Sequence, residues 1–365
     1  MIIPKKNINF VPRLPHWISD REKYYTMERN ERVEDFSNKE LNSLFKTIKS
    51  FDLRTYPDPK EVYNNLSKWL KTKPENLFIS DGADGGLLRI FNVFANTGDK
   101  VLALEPSFAM YPVYCQMFGA KYLPLKLKLD KNFNYFNVLK KMIAKNKPKI
   151  IALANPNQPL ESILTILQIK QLLQIAKKIN SLVVIDEAYA HFNNVNALPL
   201  TKTHKNLIVV RTFSKAFGIA GTRIGYAVAD KKLIGYMQSI KPIYEVNGIN
   251  IKIINYFLKN IKIMKNHVSE INKARVFFSN FLKKFKISVI GKYSNTVLFK
   301  LPSKKHVDYI IKKLYEKKYI IRPMTIDNDD KYIRCTLGQV KTMRHFTRNM
   351  EILFNSKVYK KINFK

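Results

Sequence analysis

The sequence predicts an α/β protein: a mostly parallel sheet flanked by helices, followed by a smaller C-terminal α+β unit. Three observations carry this reading. Short apolar runs without polar alternation recur through the middle of the chain, as strands buried on both faces require. Amphipathic stretches with apolar residues three and four apart separate them, giving the strand–helix–strand rhythm of a parallel sheet. From about Lys259 the pattern changes to a long lysine-rich amphipathic stretch and then short strands around another helix.

In chain order, Leu77-Phe78-Ile79 is the first strand, followed by Gly82 and a helical register through Leu87, Leu88, Phe91 and Phe94. Val101 to Leu104 and Lys121 to Leu125 are the next strands. Ile150 to Ala154 is nearly all apolar, and Ile163 to Ile179 follows as a helix with Ile166, Ile169, Leu172, Leu173 and Ala176 in register. Leu182 to Ile185, Leu207 to Val210 and Ile224 to Ala229 continue the same βαβ repetition. In the C-terminal part, Thr296 to Lys300 and Tyr332 to Thr336 are strands around a helix from His306 to Tyr319. The expected division is an N-terminal arm over 1–45, a large α/β domain over 46–260 and a small α+β domain over 261–365. There is no internal repeat and no Gly/Ser linker.

Composition narrows the class. With 365 residues, 46% hydrophobic and only 12 Gly and 16 Pro, the chain is excluded from the disordered, collagen-like and low-complexity classes. Its 64 Lys+Arg against 28 Asp+Glu give a net charge of +36, which raises nucleic acid or an anionic surface as a partner. The lysines are spread along nearly the whole chain, however, and the densest stretches, Lys140 to Lys149, Lys312 to Lys318 and Lys357 to Lys365, read as solvated helix faces and a tail. No specific nucleic-acid partner is expected; abundant Lys, Asn and Ile also match the codon bias of an AT-rich genome. Cys115 and Cys335 stand alone, with neither a disulfide framework nor metal-ligand spacing, so no metal is expected. Lys5 and Lys6 lack a signal-length apolar stretch behind them, and no apolar run is long enough to span a bilayer. The expectation is a cytoplasmic protein with no membrane partner.

Chemistry gathers at the strand ends, where ligands sit in parallel sheets. After Ile150 to Ala154 comes Asn155-Pro-Asn-Gln-Pro159; after Leu182 to Ile185, Asp186-Glu-Ala-Tyr189; after Leu207 to Val210, Arg211-Thr-Phe-Ser-Lys215-Ala-Phe-Gly218, with Arg223 beyond. Each string alone is weak, since an Asp after an apolar strand is often an ordinary cap. Together they offer an amine for a Schiff base, a buried carboxylate for a pyridinium nitrogen, and an amide and a phenol for a ring oxygen. Gly82-Ala83-Asp84, at a strand-to-helix turn, adds free backbone N–H groups suited to a phosphate.

This set resembles the fold-type-I pyridoxal-phosphate enzymes, specifically the histidinol-phosphate aminotransferase-like group of class I/II aminotransferases, from about Glu28-Arg-Asn-Glu31 to Arg334-Cys-Thr-Leu-Gly338. The resemblance implies pyridoxal 5'-phosphate as cofactor, with Lys215 as the Schiff-base amine that then shuttles a proton. It implies Asp186 at the pyridinium nitrogen, Asn157 and Tyr189 at the phenolate oxygen, and Tyr111 of Pro106-Ser-Phe-Ala-Met-Tyr111 stacked on the ring. Ala83, Asp84, Thr212, Ser214 and Arg223 match the phosphate cradle. Tyr56, in Tyr56-Pro-Asp58, matches a tyrosine that crosses to the partner's cofactor phosphate, which implies a homodimer; on its own Tyr56 reads as a turn residue before Pro57. On the substrate side, Arg334 matches the arginine that takes an acidic group, and Arg322 a position that helps grip a substrate phosphate, or else a solvated strand-end arginine.

Two strings depart from the pattern. The usual Gly-Ala-Asp-Glu is Gly82-Ala-Asp-Gly85, and Asn-Pro-Asn-x-Pro-Thr-Gly has become Asn155-Pro-Asn-Gln-Pro-Leu-Glu161. Neither removes a group the chemistry needs. The implied activity is amino transfer between a donor such as glutamate and a small phosphorylated keto or aldehyde acceptor. Related chains act on phosphorylated amines and amino acids in surface-polysaccharide pathways. The alternative on the same scaffold is decarboxylation of a phospho-amino acid such as phosphoserine or phosphothreonine. A cationic binding protein with a relic cofactor site is a third possibility, against which the intact Lys215, Asp186 and Tyr189 weigh.

Overall fold

A computed structural model describes residues 8, 20–130 and 133–362. The start of the expected N-terminal arm, including Lys5 and Lys6, and the last three residues of the basic tail lie outside them.

Seven strands form the main sheet: β1 (Leu77–Asp81), β2 (Lys100–Glu105), β3 (Lys121–Lys126), β4 (Ile150–Ala154), β5 (Leu182–Asp186), β6 (Leu207–Thr212) and β7 (Ile224–Ala229), in the spatial order β1-β7-β6-β5-β4-β2-β3. Side chains alternate between two cores. Ile79, Leu102, Ile151, Val183 and Val209 face one helix layer, whereas Phe78, Val101, Ala152, Val184 and Ile208 face the other. Burial on both faces is why these strands read as unbroken apolar runs.

One strand departs from the parallel reading. β7 runs antiparallel to both β6 and β1. Residues 213–223 between β6 and β7 hold only a 3₁₀ turn at Ala220–Thr222, too short for the helical crossover that a parallel partner needs. The chain therefore doubles straight back, carrying Lys215 and Arg223 on the return.

Helix boundaries shift for local reasons. The helix expected from Ile163 begins at Ile166, because Thr165 caps it and Gln168 closes a capping box. The helix expected to reach Tyr319 ends at Glu316; Lys318 turns through a left-handed conformation, and Tyr319–Ile320 pairs in parallel with Tyr25–Thr26. The amphipathic stretch expected from about Lys259 is the helix Ile261–Lys284, and a separate helix, Gly248–Lys259, precedes it. Beyond them a four-stranded antiparallel sheet contains Val289–Ile290, Thr296–Lys300, Arg322–Ile326 and Asp329–Thr336. The N-terminal segment is stitched to this sheet, with Thr336 N donating to Met27 O at 2.8 Å and Asn30 N to Thr336 Oγ1 at 3.0 Å. Among the described residues no helix is long and apolar enough to cross a membrane.

Candidate active site

β4, β5 and β6 are neighbours and end at Ala154, Asp186 and Thr212, so their following loops share one rim. A cavity of about 740 Å³ lies there. Its wall brings together Ala83, Asp84, Asp186, Tyr189, Thr212, Ser214, Lys215 and Arg223 from the main sheet with Arg322 and Arg334 from the C-terminal sheet. Residues as far apart in sequence as Ala83 and Arg334 thus meet at one opening.

Lys215 follows β6 on the backbone loop to β7, and its Nζ donates to the Arg29 carbonyl oxygen at 3.3 Å. Burial, reinforced by the neighbouring Arg334 and Arg223 cations, lowers its pKa to about 8. The amine is therefore free at a pH where an ordinary lysine is fully protonated. Asp186 behaves oppositely: burial raises its carboxyl to about 7, although Oδ1 accepts a 3.0 Å hydrogen bond from Ala188 N. A cation placed against it would restore the carboxylate. Behind Asp186, the buried Arg211–Glu187 pair closes at 2.6 Å, and Glu187 Oε1 also accepts from Ala197 N. This keeps the neighbouring carboxylate turned away from the cavity and fully satisfied.

Tyr189 hangs over the rim with its hydroxyl oxygen accepting a 2.6 Å hydrogen bond from Asn30 Nδ2. That bond leaves the phenolic proton to be donated elsewhere. Asn157 and Tyr111 are not on the cavity wall. Asn157 is completely buried, its Nδ2 donating to Pro106 O at 2.8 Å and its Oδ1 accepting from Ser107 Oγ. Tyr111 is the second residue of the helix Met110–Met117, which carries it below the rim against Phe91. There its hydroxyl lies near Asp186, fully buried and without a hydrogen-bonding partner of good geometry. From this segment the aromatic that lines the cavity is Phe108, packed edge-on to Tyr111 with centroids 5.8 Å apart.

The anion cradle depends on two glycines. Gly82 has φ +71° and opens the helix Gly82–Phe94; a Cβ there would come within 2.5 Å of Arg223 Nη2. A Cβ on Gly225 would meet the Gly82 carbonyl carbon at 2.2 Å and Ala83 N at 2.4 Å. With both absent, the helix start and the Arg223 guanidinium approach one point, where Thr212 Oγ1 and Ser214 Oγ stand 2.9 Å apart. An amine, a buried carboxylate, an apolar ring and a cationic cradle in one cavity fit pyridoxal phosphate.

Arg322 and Arg334 are directly opposite each other on adjacent antiparallel strands, and both line the cavity. Arg334 Nη2 donates to Glu28 O at 2.9 Å, while its Nε is buried without a partner. Tyr56 does not enter this cavity. It is 78% exposed and stacks on Tyr244 at 4.2 Å, beside Ile243 at 82%. Tyr244, Glu245 and Asn247 line a second recess of about 660 Å³ that shares Gly221 and Arg223 with the first.

Comparison with known proteins decides the family. The aminotransferase class I and II family matches residues 23–349. Histidinol-phosphate aminotransferase of Thermoanaerobacter pseudethanolicus is 33% identical over 301 residues, covering 82% of this chain and 84% of its own. The chain belongs to the class I and II aminotransferases. Pyridoxal phosphate is its cofactor. Among solved structures, histidinol-phosphate aminotransferase of Sinorhizobium meliloti, in complex with pyridoxal-5'-phosphate, superposes with a TM-score of 0.78 at 20% identity, over 90% of this chain and 91% of that one. L-threonine-O-3-phosphate decarboxylase of Porphyromonas gingivalis superposes with 0.75 at 21% identity, over 91% and 99%. At such identities the structures share the fold alone.

Three cavity residues of the aminotransferase had no clear signal in its sequence. Phe108 sits two residues after the strand-end Pro106, and only the helix start at Met110 shows which aromatic faces outward. Asn30 reaches Tyr189 across 159 positions. Gln158 was visible only as the variable residue of the Asn155–Pro159 string, yet it lines the cavity.

Proposed function

We propose that this aminotransferase moves an amino group between an amino acid donor such as glutamate and a small phosphorylated keto or aldehyde acceptor, as histidinol-phosphate aminotransferases do. The observation that carries this is the Arg322–Arg334 pair. Like charges directly opposite on a two-stranded pair are unfavourable, and here both face a cavity with one guanidinium nitrogen unpartnered. Two guanidiniums at one mouth suit a ligand with two acidic groups, one carboxylate or phosphate for each fork.

Pyridoxal phosphate, when bound, would supply an electron sink for the substrate's Cα. Lys215 would hold the cofactor through its Nζ and, when that amine is free, would take up and return a proton there. Asp186 would be ionised against the cationic ring nitrogen and would keep that nitrogen protonated. Tyr189, its oxygen already accepting from Asn30, donates its own proton to the ring oxygen. Asn157 would act indirectly, holding the 106–107 loop that borders the cavity. Phe108 covers the ring face, and Tyr111 braces Asp186 from below. Ala83, Asp84, Thr212, Ser214 and Arg223 hold the phosphate. Tyr56, pointing away from its own cavity, serves a second copy in a cytoplasmic homodimer.

The test is turnover of histidinol phosphate with 2-oxoglutarate by the holoenzyme, with carbon dioxide release from phosphothreonine measured alongside. Keto-product formation with phosphorylated substrates supports the proposal. Carbon dioxide release without amino transfer overturns it in favour of the decarboxylase.

A further inference from the structure

Glu161 stands where the common family string carries a glycine, and the structure shows what it does there. Its backbone has φ +51°, a left-handed conformation that glycine adopts freely and a glutamate rarely does. Such backbone persists when surrounding contacts over-determine it. Those contacts are present: the buried carboxylate accepts from Tyr293 N at 2.9 Å, from Lys292 N, from Ser294 Oγ at 2.5 Å and from Gln158 Nε2 at 3.1 Å.

These partners fall on two sides. Residues 292–294 lead into the strand Thr296–Lys300, which pairs with the strand bearing Arg334 in the register Leu298 to Arg334. Gln158 belongs to the loop after β4 and lines the cavity. Its Oε1 also accepts from Thr296 Oγ1 at 3.0 Å, and Thr296 Oγ1 lies 3.0 Å from Ser294 Oγ. Next in the turn, Asn295 Nδ2 donates to Asn30 O at 3.1 Å. One carboxylate therefore closes a ring of hydrogen bonds between the main-sheet rim and the turn that leads to the substrate-side arginines. The buried Arg275 guanidinium, donating to Ser294 O, adds positive charge behind the turn.

We infer that Glu161 is a positioning residue, a latch that fixes the C-terminal sheet against the cofactor-side rim and sets the distance between the cofactor site and Arg334. It touches neither cofactor nor substrate; Gln158 and the 292–296 turn carry its effect. The inference rests on the reading of the Arg322–Arg334 wall as the substrate side.

The experiment compares Glu161→Gln, Ser294→Ala and the double variant as holoenzymes. Glu161→Gln keeps the size but offers an amide group where an acceptor oxygen is needed. The expected result is a rise of about tenfold in KM for histidinol phosphate, with kcat within about threefold and an unchanged cofactor absorbance spectrum. The double variant should be no worse than Glu161→Gln, as two partners in one ring are non-additive. Independently of any substrate, amide exchange at Lys292 and Tyr293 should be faster in Glu161→Gln than in the parent. If the parent does not turn over histidinol phosphate, the functional reading fails while the exchange measurement still decides the latch. Unchanged exchange at these amides overturns the latch, and so does a loss of cofactor binding, which would put Glu161 on the cofactor side. Should Glu161→Gln fold poorly, Glu161→Gly, which suits φ +51°, gives the same readouts.

Discussion

Asn30 and Tyr189 are joined by a 2.6 Å hydrogen bond that runs from the amide to the phenol, and this direction fixes what the phenol can do. An oxygen that accepts from Asn30 keeps its own proton for another acceptor, and burial raises the Tyr189 pKa so that the proton stays in place. Asn30→Ala should leave the cofactor bound but free the hydroxyl to rotate. Losing a buried partner costs about 1–3 kcal/mol, so activity should fall by roughly ten- to a hundredfold. Steady-state turnover checks this, and Asn30→Asp, which cannot donate when ionised, should not rescue it.

Lys215→Ala should abolish turnover and remove the absorbance of lysine-bound cofactor, because no other amine of the described chain lines the cavity. The intact lysine should capture free cofactor faster as pH rises, with the increase centred near its lowered pKa of about 8 rather than near the ordinary lysine value. Stopped-flow binding across that range measures it; a pH-independent rate would remove Lys215 as the condensing amine.

For Asp186 the sign follows from its raised carboxyl. Between the ordinary carboxylate range and about 7, the folded protein holds a proton that the unfolded chain has released. The stability this group contributes to the cofactor-free protein is thus fully present at low pH and is lost as pH rises toward 7. Asp186→Asn removes that dependence. Without cofactor, the variant should match the parent below the ordinary carboxylate range and melt at higher temperature above pH about 7. With cofactor, it should lose roughly a hundredfold or more of activity, as expected when a preorganised charge is deleted.

Most of this was readable from sequence where the determinant is local. Strands buried on both faces announce themselves as apolar runs, and the residues that end them, Asp186 and the Thr212–Lys215 string, need only the strand end to be placed. What was illegible depends on rotation or distance. Tyr111 and Phe108 are three residues apart, and the choice between them turns on where one helix begins. The antiparallel β7 depends on a connection being too short for a crossover, although its residues look like those of its parallel neighbours. Glu161 was noticed as a departure, but its partners in the 292–294 turn lie more than 130 positions away.

Tyr56 supports a test of assembly. If it serves the partner's cavity, a mixture of Tyr56→Ala and Lys215→Ala proteins, each impaired, should regain activity on subunit exchange. The hybrid then contains one cavity with its own Lys215 and the other chain's Tyr56. Sedimentation should show a dimer, because the exposed patch around Tyr56, Tyr244 and Ile243 is more apolar than isolated surface residues require. A monomer by sedimentation, or a mixture no more active than its parts, would leave Tyr56 a surface turn residue.

The two arginines should separate by substrate. Arg334 is largely buried, anchored through Nη2 to Glu28 O and adjacent to Tyr189, whereas Arg322 opposite it is exposed at the mouth. On the proposed function, the deeper guanidinium would take the acidic group nearer the reacting carbon, and the outer one the far end of the molecule. Losing one charge-assisted contact costs about 1.5–3 kcal/mol, roughly ten- to a hundredfold in kcat/KM. Arg322→Ala should therefore erase most of the preference for phosphorylated over dephosphorylated substrates while leaving the cofactor spectrum unchanged. Arg334→Ala should impair every amino acid substrate, phosphorylated or not. The parent's preference should also weaken with added salt, since the strongly cationic chain steers anions toward the opening. If the phosphate preference survives Arg322→Ala, the phosphate is held by another group and the outer arginine is only a solvated strand end.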